Sequence, residues 1–257
     1  MDKIILKKPD IAPLKKEGYM CFDMHVHSEY SSDCDSKVKD IIKRAEELGI
    51  GIAITDHNEI AGSLEAYKLN KNIVIPGTEV RSKEGLDILF YFFKIEDLID
   101  FYKKFVEPNK KKISATKLSA VELIKKSNNY KVVSCIAHPY RPSLKKRINF
   151  LINKEKIKSV FNKVKAFEVI NSKNFRVSNN MAIRSAIKKN KFIIGGSDSH
   201  IIKTIGGTVT RLKKKKKETH ILDGILLEDV MVIGKERNLI FAIIEALFIF
   251  IKKKVLK

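Results

Sequence analysis

The chain has 257 residues, of which 44% are hydrophobic and 32% are charged. This balance excludes disordered, collagen-like and disulfide-rich proteins, and a chain of this length buries enough apolar surface to fold without a disulfide or metal staple. Lysine and arginine number 51 against 30 acidic residues, a net charge of +21. Such a charge favours polyanionic partners such as nucleic acid, but it equally describes a surface solvated by dispersed lysines.

Cysteine usage and the N-terminal sequence bear on the location of the protein. The three cysteines, Cys21, Cys34 and Cys135, cannot form a closed disulfide set and show no C-x-x-C spacing. The opening sequence MDKIILKKPDIAPLKKEG contains no apolar core of signal-peptide length. Both features predict a cytoplasmic protein.

Several short apolar runs predict buried strands. The predicted strands are Tyr19–Phe22, Ile50–Ile54, Asn72–Ile75, Asp87–Phe93, Lys131–Ala137, Lys165–Ile170 and Lys191–Ile194. Segments with a helical period lie between them: Ser36–Leu48, Asn58–Leu69, Ser119–Lys126 and Asn179–Lys189. Ser119 and Glu122 have the spacing of a capping box at the start of a helix. The alternation of strand and helix predicts an α/β architecture with parallel strands.

Two segments near the C-terminus differ from the rest of the chain. Lys213–Lys217 is a run of lysines that we expect to form a solvated loop. Leu239–Ile251 is apolar except for Glu245, but it is shorter than the roughly 20 residues that cross a bilayer. The sequence therefore predicts no transmembrane segment. It predicts an apolar C-terminal helix over about 236–252 that packs on the domain or on a second subunit, with docking at a membrane surface as the alternative.

Five of the six histidines end or follow a predicted strand. His25 and His27 are two residues apart in FDMHVH, so on a strand both imidazoles point to the same face. Further His, Asp and Glu side chains at strand ends are His57, Glu79, His138, Asp198 and His200. One such histidine is more often a packing residue than a ligand. Because ligand sites of parallel α/β folds gather at the carboxyl ends of the strands, the repeated pattern predicts a metal site there.

The donor atoms of this ligand set limit which metals can bind. Imidazole nitrogens and carboxylate oxygens without thiolates suit Zn, Mn or Fe(II), and they argue against a closed structural cysteine site. The ligands are too numerous for one ion, so we expect two or three divalent ions. Clustered ions hold a phosphate oxygen, neutralise its charge and lower the pKa of bound water, so that hydroxide can attack phosphorus.

The segments FDMHVHSEYSSD, ITDHNEIAG, VIPGTEV, IAHPYRP, FEVINSKN and GGSDSH resemble, in this order, the motifs of the PHP (polymerase and histidinol phosphatase) superfamily of metal-dependent phosphoesterases. They cover about residues 20–206. The resemblance implies one PHP domain over residues 1–257, folded as a distorted seven-stranded (β/α) barrel with its metal site at the C-terminal rim of the strands.

The resemblance also implies roles for individual residues. One ion would be held by His25, His27, Glu79 and Asp198, a second by Glu79 and His138, and a third by His57 and His200 with Asp33. Asp198, or hydroxide between the ions, would handle the proton during attack. Asp23 and Asp56 resemble supporting groups: Asp23 shares the strand face of His25 and could orient it, whereas Asp56 equally fits a strand-capping role.

The chain departs from the family pattern at one position. Relatives often carry a further histidine shortly after the glutamate, where this chain reads EGLDILF. Asp87 is the nearest candidate ligand, which leaves the number of ions and the preferred metal open. For substrate binding we expect Arg141 and Arg176 to contact phosphate, because guanidinium grips phosphate bidentately, although either could be a solvated surface residue. Asn171 would hydrogen-bond the substrate or hold a loop.

The predicted function is therefore hydrolysis of phosphate esters, with phosphomonoesters favoured and a phosphorylated small molecule or nucleotide as substrate. One alternative is a nuclease or nucleotide-bisphosphate phosphatase acting on short nucleic acids, which the charge of +21 would assist. A second alternative is a non-catalytic, metal-stabilised scaffold. We expect the loops Ile95–Asn129 and Pro139–Lys163 to determine specificity. The oligomeric state is not predicted.

Overall fold

The fold is known from a computed structural model that describes residues 3–111, 115–141, 154–214 and 220–236. The strands of these ranges are β1 (Ile4–Ile5), β2 (Tyr19–Val26), β3 (Gly51–Ile54), β4 (Gly77–Arg81), β5 (Asp87–Phe92), β6 (Lys110–Lys111), β7 (Ala115–Thr116), β8 (Val132–Ile136), β9 (Ala166–Asn171), β10 (Phe192–Gly196), β11 (Thr208–Lys213) and β12 (Val230–Gly234). The α-helices are α1 (Ile11–Lys16), α2 (Val38–Leu48), α3 (Ala61–Asn70), α4 (Ile95–Phe101), α5 (Ala120–Ser127), α6 (Lys154–Lys163), α7 (Arg176–Lys188) and α8 (Ile221–Leu226).

The strands make mixed rather than purely parallel sheets. One sheet has the order β1-β12-β11-β2-β3 and the other the order β10-β9-β8-β5-β4, and β6 pairs with β7. The pairs β2–β3, β8–β9 and β9–β10 are parallel, as predicted, but β4–β5, β5–β8 and β11–β2 are antiparallel. The expectation of a parallel sheet throughout is wrong at β4 and β5, because their short connection over residues 82–86 allows only a hairpin.

The two large sheets approach each other at one end, where single bridges join Val26 to Ser199 and His57 to Glu79. Among the described residues the ladder of hydrogen bonds does not close, and the strands form sheets of five, five and two. The fold is thus mixed α/β, and the predicted seven-stranded barrel is not confirmed. The two bridges nevertheless bring the carboxyl ends of β2, β3 and β10 to one place.

One predicted strand is misplaced. Asn72–Ile75 makes no strand of its own: Val74 forms an isolated bridge with Ile52, and β4 begins only at Gly77. The physical reason is Pro76, which has no N–H to donate and so interrupts the ladder between the two segments. The sequence prediction also lacked β11 and β12, which complete the first sheet beside β2.

The four predicted helices form, as α2, α3, α5 and α7. The helices α1, α4, α6 and α8 were not predicted, and α4 and α6 lie within the segments Ile95–Asn129 and Pro139–Lys163 that were expected to be loops. In α2 the apolar side chains Val38, Ile41, Ile42 and Ala45 are buried on one face, and the helix ends at Gly49, whose positive φ of 65° suits glycine. The capping box of α5 is confirmed. Its N-cap hydroxyl accepts a hydrogen bond from the third helical N–H, and the Glu122 carboxylate accepts one from the N-cap N–H.

The apolar core has three parts, which hold the ends of the strands in place. One part draws on both large sheets and includes Met24, Leu89, Tyr91 and Ile194. The hydroxyl of Tyr91 donates a 2.7 Å hydrogen bond to the carbonyl of Met24, so the two sheets are tied one residue before His25. The other parts lie between the sheets and their covering helices. Each fully buried large apolar side chain contributes about 1.5–3 kcal/mol.

Some predictions fall outside the described residues. They are the C-terminal helix over about 236–252, including Leu239–Ile251, much of the loop Pro139–Lys163, and most of the lysine run Lys213–Lys217. Within the described ranges, no helix has the length and apolar character that crossing a bilayer requires.

Candidate metal centre

All eight predicted metal ligands lie together at the end of the molecule where the two sheets meet. Their ligand atoms form three sets, and within each set the atoms lie within 4.8 Å of one another. The sets are His25, Glu79 and His138; His25, His27 and Asp198; and His27, Asp33, His57 and His200. The first two are called the inner groups and the third the outer group.

The inner groups are closed off from solvent. The Nε2 atoms of His25 and His27 lie 3.1 Å apart, and both lie 3.5 Å from Glu79 Oε2. The other Glu79 oxygen lies 3.0 Å from Nε2 of His138, and Asp198 Oδ1 lies 3.4 Å from Nε2 of His27. None of these five side chains is more than 2% exposed. The i, i+2 spacing on β2 thus places both imidazoles on one face, as predicted.

The outer group is more open and is connected to the inner groups through Glu79. Nδ1 of His57 lies 2.8 Å from Glu79 Oε2, whereas its Nε2 lies 3.5 Å from Asp33 Oδ2. The same Asp33 oxygen lies 3.3 Å from Nε2 of His200. The side chains of Asp33 and His57 are 15% and 16% exposed. Solvent therefore reaches the centre from the side of the outer group.

The buried polar atoms of the centre fit bound cations. Within the described part of the chain, three of its buried atoms make no hydrogen bond of good geometry: His27 Nδ1, His57 Nδ1 and Glu79 Oε2, although the last two lie 2.8 Å apart. Burying polar atoms without partners costs free energy, and a bound cation would remove that cost. The close approach of two imidazole nitrogens, His25 Nε2 and His27 Nε2, fits the same explanation, since two such nitrogens can bind one divalent ion. Imidazole and carboxylate without thiolate match the predicted donor set.

The charges of the centre are mutually dependent. Burial would raise the pKa of Glu79, but His57 and His25 outweigh it and hold that pKa well below its usual range. Burial would lower the pKa of His57, but Glu79 and Asp33 outweigh it and raise the pKa to about 10. The buried carboxylates require positive charge beside them. In the absence of metal, protonated imidazoles such as His57 supply that charge, which bound cations would otherwise supply.

His200 differs from the other histidines of the centre. Burial, the Lys173 ammonium and His27 lower the pKa of His200 to about 4. The Lys173 Nζ lies 3.1 Å from Nδ1 and 3.4 Å from Nε2 of this imidazole. His200 is therefore neutral at physiological pH and needs to lose no proton to serve as a ligand.

A carboxylate that the sequence prediction missed holds the inner groups. Glu168 on β9 is fully buried, and its Oε1 lies 2.8 Å from Nδ1 of His25. Its other oxygen accepts hydrogen bonds from the backbone N–H of His138 at 2.7 Å and from the Asn171 amide at 3.0 Å. The carboxylate thus fixes the ring so that Nε2 faces the centre. A sequence feature points to it: Glu168 is the only acidic residue inside the apolar run Lys165–Ile170.

Asp23 and Asp56 support the backbone rather than an imidazole. Asp23 accepts hydrogen bonds from the backbone N–H groups of Ser197 and Gly206, both at 2.8 Å, and burial raises its pKa to about 6. Asp23 also accepts a 3.4 Å hydrogen bond from the backbone N–H of His25, whereas the imidazole of His25 is contacted by Glu168. Asp56 accepts from the N–H and the hydroxyl of Ser28, each at 2.6 Å, and so anchors the loop after β2.

The close packing of β10 against β2 requires glycine. A Cβ atom on Gly196 would lie 2.4 Å from the Cβ of His25, so any larger residue would displace this ligand. Two other positions have unusual backbone geometry: Asp198 has a φ of 52° and His138 a φ of 30°. Positive φ at non-glycine residues costs conformational energy and concentrates at functional sites.

Of the predicted substrate-binding residues, Arg141 and Asn171 lie at the centre. The Arg141 Nη2 donates to Asp198 Oδ2 and, at 3.0 Å, to Asn171 Oδ1, whose amide nitrogen donates to Asp198 at 3.1 Å. Burial would raise the pKa of Asp198, but Arg141 and His25 hold it well below its usual range. Arg176 begins α7 and donates to Glu236 at 2.9 Å, with no described contact to a ligand residue. Its role as a phosphate contact stays a prediction.

Asp87, the candidate at the position where relatives carry a histidine, is engaged elsewhere. Both of its oxygens accept hydrogen bonds from Arg81, at 2.6 and 3.1 Å, across the β4–β5 hairpin. Its Oδ2 lies 4.0 Å from Nε2 of His138. Asp87 thus lies next to the inner groups without belonging to the sets of mutually close ligand atoms.

Comparison with known proteins identifies the family of the chain. The sequence profile of the PHP domain matches residues 23–182, and that of the PHP-associated family matches residues 176–229, so the two together span all eight ligands. An uncharacterized protein of Methanocaldococcus jannaschii is 31% identical over 137 residues, which are 48% of this chain and 70% of that protein.

Solved structures share the fold. A protein described as a metal-dependent phosphoesterase from Bifidobacterium adolescentis superposes with a TM-score of 0.55 over 81% of this chain and 94% of its own, at 18% identity. Endonuclease Q, solved with a 27-mer duplex carrying an abasic lesion at the active site, superposes with a TM-score of 0.64 over 81% of this chain and 56% of its own, at 20% identity. Because the PHP domain profile matches more than half of the residues, the chain belongs to the PHP domain family.

Proposed function

We propose that the protein is a metal-dependent phosphoesterase that hydrolyses phosphomonoesters at the centre between the two sheets. The observation that carries the proposal is the shared position of Glu79, whose two oxygens lie 3.0 Å from His138 and 2.8 Å from His57. A carboxylate between two ligand sets is suited to hold ions close together. Family membership and the metal-dependent phosphoesterase among the structural relatives support the same reaction class.

The proposed ligands are those of the inner groups and the outer group. We propose that they hold two or three divalent ions, with Mn, Zn or Fe as the candidates. Bound divalent ions neutralise phosphate charge and lower the pKa of water, which supplies the nucleophile near neutral pH. Glu168 keeps Nε2 of His25 facing the ions by accepting a hydrogen bond from its Nδ1–H, and Asn171 holds the carboxylate of Asp198 in position.

Arg141 is the proposed phosphate contact of this arrangement. Its guanidinium is 25% exposed while its Nη2 contacts Asp198, so it lies between solvent and the inner groups. A guanidinium binds two phosphate oxygens at once and stabilises charge that develops on them. The low pKa of Asp198 favours its role as a ligand over proton transfer, so its predicted catalytic role in handling the proton stays a prediction.

A second candidate function is cleavage of short nucleic acids. Endonuclease Q, which resembles this fold, was solved with a DNA duplex, and the net charge of +21 favours such a substrate. The two functions differ in their response to salt. Hydrolysis of an oligonucleotide should fall steeply between 50 and 200 mM salt, because phosphate contacts along the strand release counterions, whereas hydrolysis of a small phosphomonoester should change little.

The test combines elemental analysis with phosphate release. Purified protein is reconstituted with Mn(II), Zn(II) or Fe(II) and assayed on sugar phosphates, nucleotides and short oligonucleotides. We expect two or three ions per chain, with phosphate release that His57→Asn abolishes. His220→Asn is the matched control, because His220 caps α8 away from the centre and asparagine is also a good N-cap. Bound ions without turnover on any substrate would instead favour the non-catalytic scaffold.

The location also stays a prediction. The three cysteines are buried and none of them forms a disulfide. This agrees with the reducing, cytoplasmic setting that we propose.

A further inference from the structure

An apolar groove runs between β1 and α7 at the end of the fold opposite the metal centre. Its cavity has a volume of about 590 Å³. One wall includes Ile4 of β1, and the other includes Ile183 and Ile187 of α7. The floor includes Phe192 and Val230, the first residues of β10 and β12. The metal ligands follow the carboxyl end of β10, so this α7 groove and the centre lie at opposite ends of that strand.

The apolar surface continues from the α7 groove along the helix. Seven large apolar side chains are exposed within the described ranges, and four of them lie on α7 or at its N-cap: Phe175, Val177, Met181 and Ile187. At about 100° per residue, Val177, Met181 and Ile187 fall within about 120° of the helix circumference and so share one face. A single exposed apolar residue needs no explanation, but a contiguous apolar face marks an interaction surface.

The described chain reaches the start of this face at its last residue. Arg176, the first residue of α7, donates from Nε to Glu236 Oε1 at 2.9 Å. Glu236 is the last described residue, and the apolar segment Leu239–Ile251 begins three positions after it. Because three steps along the chain span at most about 11 Å, this segment starts within reach of the first turns of α7.

The segment Leu239–Ile251 matches the exposed face in length and in pattern. It has 13 residues, as α7 has, and a helix of that length spans about 20 Å. With a period of 3.6, Ala242, Glu245 and Ala246 share one side, and most of the larger side chains share the other. Since β12 leads from the groove toward Glu236, a segment that continues from there can return alongside α7 to the groove.

The charges favour the same arrangement. Glu245 is the one charged residue of the apolar segment. When Leu239 lies beside Val177, Glu245 comes within one residue of the level of Arg184. Arg184 is exposed and lines the groove. A carboxylate at the rim would then meet a guanidinium, while the larger side chains of the segment face the apolar surface.

We propose that Leu239–Ile251 forms a helix that docks along α7 of the same chain and fills the α7 groove. The short linker after Glu236 confines the segment to the vicinity of α7, and such tethers give effective concentrations in about the millimolar range. A second copy of the chain, or a lipid surface, has no such advantage at micromolar protein concentration. The proposal does not depend on the proposed phosphoesterase function, because the groove lies away from the metal ligands.

The test uses the absence of tryptophan from the sequence. Phe248→Trp gives the full chain a single indole within the segment, and we expect its fluorescence to be blue-shifted and protected from acrylamide. Adding Ile187→Asp should shift the emission to that of a solvent-exposed indole and lower the Tm by about 4–8 °C, because a carboxylate then opposes apolar side chains. Leu69→Asp is the matched control. Leu69 is 53% exposed on α3, so the same change there should alter neither quantity.

Met181→Asp serves as a second variant and should act in the same direction as Ile187→Asp. An exposed indole in Phe248→Trp, or an emission and a Tm that neither aspartate changes, would overturn the proposal. Indole burial that depends on protein concentration, with a dimer in sedimentation velocity, would assign the segment to a second copy instead. Burial only on adding vesicles of equal parts phosphatidylcholine and phosphatidylglycerol would assign it to a membrane surface. Metal content and phosphate release of the same variants should stay unchanged, which separates failure of this proposal from failure of the proposed function.

Discussion

The inner groups and the outer group of the centre differ in how their side chains are held. In the inner groups a buried carboxylate fixes His25, and a buried amide fixes Asp198. In the outer group Asp33 is held by the hydroxyl of Ser31, at 2.9 Å, and remains partly exposed on a loop. A site whose ligands are fixed before binding loses less conformational freedom, so we expect the inner groups to bind ions more tightly than the outer group.

The largest effect on metal binding and activity should come from Glu79, the inner carboxylate that also contacts the outer group. Glu79→Gln removes a charge that contacts His138 on one side and His57 on the other. We expect it to weaken metal binding in both regions and to lower kcat at least about a thousandfold, since it removes ligation where phosphate charge develops. The measurement is metal content together with phosphate release. Retention of full metal content would show that Glu79 does not connect the regions.

Glu168→Gln should have a smaller effect, a loss of metal affinity that is confined to the inner groups. The amide keeps the size of the side chain but accepts more weakly from Nδ1 of His25. Loss of such a supporting contact typically lowers metal affinity about 10- to 100-fold. Competition with a chelator of known affinity would measure it, one ion at a time. An equal loss of the ion in the outer group would contradict the separation of the two regions.

Ion binding by the outer group can be tested separately from the inner groups. Asp33→Asn withdraws a carboxylate that contacts only His57 and His200 among the described ligands. We expect the loss of one ion equivalent, with the inner ions retained, because no inner ligand depends on Asp33 for its position. Elemental analysis after dialysis would report this difference. Loss of all ions would mean that the regions bind cooperatively.

Sequence alone predicts those features of the metal centre and the fold that depend on the local sequence pattern. The i, i+2 spacing on one strand places His25 beside His27, and the ends of predicted strands supply the other ligands. The capping residues Ser119 and Glu122 are equally local, and they too are confirmed.

The contacts that support the ligands from distant segments were not predicted. Glu168 lies on the sheet opposite His25, and no local pattern states that β9 comes to face β2. Lys173 reaches His200 through a turn set by a side-chain hydrogen bond to Asn171. The segment Asn72–Ile75 was wrongly predicted to be a strand for a related reason. Its apolar residues fit a strand, but only Val74 pairs with β3, and Pro76 interrupts the hydrogen bonding.

The smallest expected effect is on the pH dependence of stability in the metal-free protein. The pKa of His57 is raised from its usual value near 6.5 to about 10. Its proton therefore stabilises the folded state fully below about pH 6.5, and that contribution is lost as pH rises toward about 10. We expect the Tm of the metal-free wild type to exceed that of metal-free His57→Asn by a few degrees near pH 7, and the difference to vanish near pH 10.

Loading the protein with metal should reverse this dependence, because an ion takes the place of the proton beside Glu79 and Asp33. Binding then releases protons, so metal affinity should rise with pH across the same window. Calorimetry in two buffers of different ionisation enthalpy would count the protons released. Wild type should release more protons than His57→Asn at pH 8. A Tm difference that grows with pH, or equal proton release by the two proteins, would mean that His57 does not carry the charge that the buried carboxylates require.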